Sequence, residues 1–214
     1  GFMILDHDEP ETEMVRRNLQ ILRETGGNLH FCHISRKESM PLIIQATAAG
    51  LKVTVEVTPH HLFSHGLDYR VNPPIASEED VKFLIESIKN GHVDVIGTDH
   101  APHTEADKAN GAPGIINIET AYAMIRKVFR ENAISMKTLA KLMSNNPSFM
   151  TGTDSHIREG SEANLVILSD EAWKIDSTKF VTRSRNTPYD GWEVVGKVEY
   201  TIAKGEIVYD NAGA

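Results

Sequence analysis

Histidines and one aspartate stand just past the apolar runs in the first half of the sequence. His7 follows GFMIL, His33 stands next to last in LHFCHI, His60 and His61 follow VTVEVT, and Asp99 ends VDVIGTD. Two neutral imidazoles and a carboxylate are good ligands for Zn²⁺, and a catalytic zinc keeps a position open for water, whose pKa it lowers toward about 7. A carboxylate beside that water can take its proton and hand it to a leaving nitrogen. The chemistry open to this set is hydrolysis of an amide. Each residue also has a structural reading when taken singly. A histidine at a strand end is often only hydrogen-bonded, Asp99 could cap the following turn, and His60 and His61 read as shaping a Pro turn. His30, His65, His92 and His156 read as surface or loop residues.

For such residues to meet, successive strands must deliver their ends to one place. GFMIL reads as a buried strand, and Pro10 to Thr25, with Val15, Leu19 and Leu22 at helical spacing, as the helix that follows. LHFCHI is a second strand with its helix over Glu38 to Ala49. VTVEVT is a third, leading into a loop that contains Pro59, Gly66, Pro73 and Pro74. Ser77, three residues before Asp80, predicts a capped helix start, with Val81, Leu84, Ile85 and Ile88 lining one face. VDVIGT is the fourth strand, and Ile118 to Arg130 and Met136 to Met143 read as helices. His33 shares parity with Leu29 and Phe31, and Asp99 with Val93 and Val95. If those apolar side chains fill an interior, the His and Asp point inward with them.

Strands alternating with helices imply right-handed βαβ units and a parallel sheet. Four such units make half of a closed (β/α)₈ barrel, which usually needs about 250 residues, and in a barrel the chemistry sits at the C-terminal strand ends. The expected fold is therefore α/β, the C-terminal half of a (β/α)₈ TIM-like barrel over residues 1–155. From Asn164 the pattern changes: NLVIL, FVTRS and GKVEYTIAKGEIVYD read as strands, the last a hairpin turning at Ala203-Lys204-Gly205. Residues 156–214 are thus expected to supply strands of a small β-domain. An open doubly wound sheet is the competing architecture, but its Gly-rich first turn, GxGxxG, is absent.

The bulk numbers narrow the partners. With 214 residues, 40% of them hydrophobic, the chain can bury a core. A net charge of -8 without a Lys/Arg cluster argues against nucleic acid. No apolar run approaches a membrane span, and the single cysteine, Cys32, rules out an internal disulfide framework, so a cytoplasmic setting is expected.

The motifs FCHIS, VTVEVTPHHL, RVNPP, DVIGTDHAPHT, GAPGI, Asn146-Pro147 and SRNTPYDGWEVVGKV, in that order, resemble the amidohydrolase superfamily and within it the dihydroorotases of the longer, bacterial-type class. The resemblance implies a zinc-dependent cyclic amidohydrolase, with one or two metals in a complete site. It implies reversible ring closure of N-carbamoyl-aspartate to dihydroorotate in pyrimidine synthesis. His7, His33 and Asp99 match metal-ligand positions, Asp99 being the base as well. Asn72 is implied to contact the pyrimidine ring, His103 to hold the substrate carboxylate, and backbone near Gly114 to bond to the ring. The family's HxH motif and bridging carboxylate belong to an N-terminal half that this sequence does not contain, so that half is an expected partner and the fragment alone is expected to be inactive. A homo-oligomer or another enzyme of the pyrimidine pathway remains open as a further partner. Hydantoinases and allantoinases share the strand-end His and Asp, and a non-catalytic homologue is the alternative from another class.

Overall fold

The computed structural model describes residues 11–211, so the expected strand GFMIL and the candidate ligand His7 lie outside the described residues. The chain forms two compact units, the first ending at Asp99 and the second starting at His100.

In the first unit, α1 (Glu11–Thr25) buries Val15, Leu19 and Leu22, the three apolar residues at helical spacing. β1 (Leu29–Phe31) pairs in parallel with β2 (Val53–Val57), and β2 with β3 (Val95–Ile96). Parallel neighbours need long crossovers. α2 (Ser39–Ala48) makes the first, and α3 (Pro59–Phe63) with α4 (Glu78–Lys89) the second. Met40, Ile43 and Ala46 of α2, Val53, Val55 and Val57 of β2, and Val81, Leu84, Ile85 and Ile88 of α4 are buried and form this unit's core. The capping box at α4 is present: Ser77 Oγ accepts the Asp80 N–H at 3.2 Å, and Asp80 Oδ2 accepts the Ser77 N–H at 3.0 Å.

The second unit opens with α5 (Glu105–Ala109) and α6 (Ala121–Glu131), the latter burying Met124, Ile125, Val128 and Phe129. α7 (Met136–Ala140) runs through a π-helical turn, Lys141–Asn145, into α8 (Asn146–Thr151). The helical run is longer than the expected Met136 to Met143. Pro147 has no N–H to give an uninterrupted α-helix, and the widened turn before it absorbs the misfit. β4 (Leu165–Lys174), β5 (Glu193–Ala203) and β6 (Glu206–Asp210) form an antiparallel sheet in that order, with the expected hairpin at Lys204-Gly205.

FVTRS is not a strand. The N–H groups of Val181 and Thr182 donate to the Glu119 carboxylate, each at 2.9 Å, and the Arg185 guanidinium donates to the carbonyls of Phe180, Thr182 and Ser184. Side chains thus take the backbone groups that a sheet ladder would need. Among the described residues no helix is long and apolar enough to cross a membrane.

Candidate active site

β1 ends at Phe31 and β3 at Ile96, before the residues of interest are reached. His33 and Asp99 both lie on left-handed backbone, at φ 43° and 46°. A residue with a Cβ takes that conformation only when its surroundings impose it, and such positions gather at functional sites. Among the described residues the other non-glycine cases are Ala133 and Lys204. The parity expected to carry His33 and Asp99 inward therefore does not reach them. A sharp turn of the backbone sets their direction instead.

Carboxylates hold the His33 turn. Glu11 accepts the Ser35 N–H at 2.9 Å, the Ser35 hydroxyl at 2.6 Å and the Arg36 N–H at 3.1 Å. Asp80, only 3% exposed, accepts the Lys37 N–H at 2.9 Å. Glu56 reaches the His33 N–H itself at 3.4 Å, and its backbone carbonyl accepts the Ile34 N–H at 2.9 Å. The register pairs Glu56 with Val95 and Thr54 with His30, so His30, Thr54, Glu56 and Val95 share one face of the sheet.

That placement corrects the reading of His30 as a surface or loop residue. It sits in β1, with Nδ1 2.8 Å from Thr54 Oγ1 and Nε2 3.8 Å from a Glu56 oxygen. Hydrogen bonding to Cys32 and to Glu56 pushes its pKa up to about 9. Glu56 was missed as a site residue, although VTVEV alternates in burial and so puts its two polar side chains on one face. Gly97 is the seat for this carboxylate, since a Cβ there would fall 2.3 Å from Glu56 Cδ.

Burial pushes the Asp99 carboxyl above its usual range, with His33 pulling it back and Glu56 pushing it further up. His60 Nε2 lies 4.0 Å from Asp99 Oδ2. His60 and His61 are fully buried and held neutral mainly by that burial, His61 at about 4. Thr58 Oγ1 lies 2.8 Å from His61 Nδ1, and His61 Nε2 donates to the Pro73 carbonyl at 3.0 Å. This pair of bonds ties the TPHHL turn to the VNPP loop, in which Asn72 is exposed. His61 thus shapes a Pro-containing turn, as its sequence context suggests.

In the second unit His103 and Gly114 come together. A Cβ on Gly114 would stand 2.7 Å from the His103 ring and 2.9 Å from Ala101 Cβ, so the ring rests against bare backbone. Lys108 Nζ donates to the carbonyls of Ala112 at 2.9 Å and Gly114 at 3.0 Å. His100 Nδ1 accepts the N–H groups of Asn117 and Ile118 at 3.1 and 3.2 Å.

The model of the amidohydrolase family matches residues 37–209. The chain belongs to the amidohydrolase family. Within that family it is 45% identical over 207 residues to a dihydroorotase of Clostridium botulinum (strain Eklund 17B / Type B), covering 93% of this chain and 51% of that protein. It is 41% identical over 214 residues to a dihydroorotase of Caldanaerobacter subterraneus subsp. tengcongensis, covering 94% and 50%. The chain spans about half the length of the curated relatives it matches. Among solved structures, the L-hydantoinase (dihydropyrimidinase) of Arthrobacter aurescens superposes with a TM-score of 0.88 at 29% identity, over 94% of this chain and 49% of that one. The dihydropyrimidinase of Brevibacillus agri NCHU1002 has the same fold, with a TM-score of 0.88 at 22% identity.

Amidohydrolase chemistry implies a metal, and the donors present suit one. Asp99 is a partly buried carboxylate held above its usual range, so a nearby cation would stabilise its charged form. His33 offers an imidazole close enough to Asp99 for the two charges to interact. Among the described residues no group of three His, Cys, Asp or Glu side chains is arranged to hold an ion.

Proposed function

We propose that the polypeptide carrying this chain is a zinc-dependent cyclic amidohydrolase that interconverts N-carbamoyl-L-aspartate and L-dihydroorotate, a step of de novo pyrimidine synthesis in the cytoplasm. The observation that carries it is the left-handed pair His33 and Asp99, joined through Glu56, in a chain 45% identical to a dihydroorotase. In this reading residues 1–155 are the C-terminal half of the barrel and residues 156–214 contribute to a small β-domain. The remaining ligands come from the other half of the same polypeptide, since the matched relatives are about twice as long.

His7, His33 and Asp99 would hold the zinc, which when bound supplies Lewis acidity and lowers the pKa of water. Asp99 takes the proton from the attacking water and delivers it to the ring nitrogen as the amide bond breaks; in the reverse direction it removes a proton from the carbamoyl nitrogen. Its raised pKa suits a group that must carry a proton for part of each cycle. His103 donates a hydrogen bond to the substrate carboxylate, Asn72 contacts the ring, and backbone at Gly114 bonds to it.

A second reading, hydrolysis of hydantoin or dihydropyrimidine rings, is favoured by the likeness to the L-hydantoinase of Arthrobacter aurescens. The zinc-loaded full-length polypeptide should cyclise carbamoyl-aspartate and open dihydroorotate faster than it opens hydantoin, dihydrouracil or allantoin. Preference for one of the latter three would overturn the substrate assignment. No turnover of any of them after zinc is added would leave a non-catalytic relative.

A further inference from the structure

Asn186, in the SRNTPYDGW segment, reaches both loops that carry the proposed substrate residues of the second unit. Its Nδ2 donates to the Ala101 carbonyl at 2.9 Å and the Gly114 carbonyl at 3.2 Å, and its Oδ1 accepts the His103 N–H at 3.1 Å. Its backbone carbonyl accepts the Ile116 N–H at 3.1 Å. The residue is 9% exposed.

Two carbonyl acceptors on the nitrogen side and one N–H donor on the oxygen side leave one amide orientation that satisfies all three bonds. Neither a carboxylate nor an apolar side chain of the same size can replace it, because neither has N–H groups to donate. The clamp acts where tolerance is small, since the His103 ring lies against Gly114 with no room for a Cβ.

We propose that Asn186 is a positioning residue for substrate recognition. It locks the His103 loop and the Gly114 loop into one body, so that an imidazole donor and the backbone at Gly114 are presented to an anionic ring at fixed separation. The proposal rests on the reading of His103 and Gly114 as substrate-binding residues. Asn186 has no part in proton transfer, so loosening it weakens substrate and transition state together, which raises KM more than it lowers kcat.

The test uses the full-length zinc-loaded polypeptide. Asn186→Ala removes all three side-chain bonds, and Asn186→Asp keeps the acceptor for His103 while losing both donors. Both variants should raise the KM for dihydroorotate about tenfold or more with kcat held within about threefold. Asn186→Ala should also speed amide hydrogen exchange at His103 about tenfold or more, without a matching change in the α6 amides. Unchanged exchange at His103 overturns the clamp. Faster exchange with an unchanged KM overturns its role in recognition, as does a loss confined to kcat. A wild-type polypeptide that leaves dihydroorotate untouched refutes the functional reading instead, and the exchange measurement still judges the clamp.

Discussion

The turn after β1 and the loop from His100 to Gly114 each hold an imidazole in place, but through different partners. Around His33 the backbone N–H groups are taken by the carboxylates of Glu11, Glu56 and Asp80. Around His103 and Gly114 the pins are the neutral amide of Asn186 and the ammonium of Lys108. Burial of Asp99, with Glu56 adding to it, makes its charged form costly unless a cation is near, which suits metal binding. An amide and an ammonium leave a carboxylate-bearing substrate unopposed. On the proposed reading, the same task of fixing a histidine is solved with carboxylates where a cation is to bind and without them where an anionic substrate is to bind.

If the first region carries the chemistry, its loss should be the most severe. Asp99→Ala in the full-length polypeptide should lower kcat by about a thousandfold or more, since proton transfer by a positioned side chain is typically worth two to four powers of ten and a metal ligand goes with it. Thermal unfolding should change little. An unchanged kcat would end the assignment of Asp99 as base.

The first region should also be the acid-sensitive one. His61 is held down to about 4 by burial against an ordinary value of 6.5. Its folded pKa lies below its unfolded one, so its contribution is intact above about pH 6.5 and is lost as pH falls toward about 4. At about 1.4 kcal/mol for each pKa unit, the loss is a few kcal/mol. Urea unfolding of the full-length polypeptide across this window should show stability falling with acid, and His61→Gln should flatten the slope. A slope that the variant leaves intact would remove His61 as its source.

The elements that carry these two regions were legible in the sequence, but most of the pins that distinguish them were not. Val15, Leu19 and Leu22 announced α1 by spacing, and Ser77 with Asp80 announced the start of α4, because both signals are local. FVTRS failed because Glu119 and Arg185, distant or off-pattern in sequence, took its backbone groups. His33 and Asp99 stood out by type and by position after apolar runs. Their left-handed backbone was hidden, since no glycine or asparagine marks His33 and the preceding alternation suggested continued strand. Glu56 and Asn186 were hidden for another reason. Their partners lie across the register or far along the chain, and only tertiary structure brings them together.

Two glycines allow a direct comparison of the regions. A Cβ at Gly97 would meet the Glu56 carboxylate at 2.3 Å, and one at Gly114 would meet the His103 ring at 2.7 Å. Gly97→Ala should displace Glu56 and, through it, His33, weakening zinc binding about ten- to a hundredfold, as loss of a ligand's supporting partner does. Gly114→Ala should leave zinc affinity alone and raise the KM for dihydroorotate. Chelator competition and steady-state kinetics separate the two. If both variants lost metal equally, the division between a metal-directed and a substrate-directed region would fail.

The smallest effects come from the helix caps, and even these should follow the same division. Ser77 and Thr104 each make a capping box with an aspartate, Asp80 and Asp107. Asp80 is buried and also holds the Lys37 N–H beyond the His33 turn, whereas Asp107 lies at the surface on a five-residue helix. Losing a cap hydroxyl typically costs about 0.5–2 kcal/mol. Ser77→Ala should fall toward the upper part of that range, because it also frees a carboxylate that fixes the turn carrying His33, and should loosen zinc slightly. Thr104→Ala should stay near the lower limit, where water can replace the lost bond. Urea unfolding of both variants, with zinc affinity measured alongside, gives the check. A Thr104→Ala variant as costly as Ser77→Ala would mean that the His103 loop depends on its local cap, and that the amide and ammonium pins hold less of it than their geometry indicates.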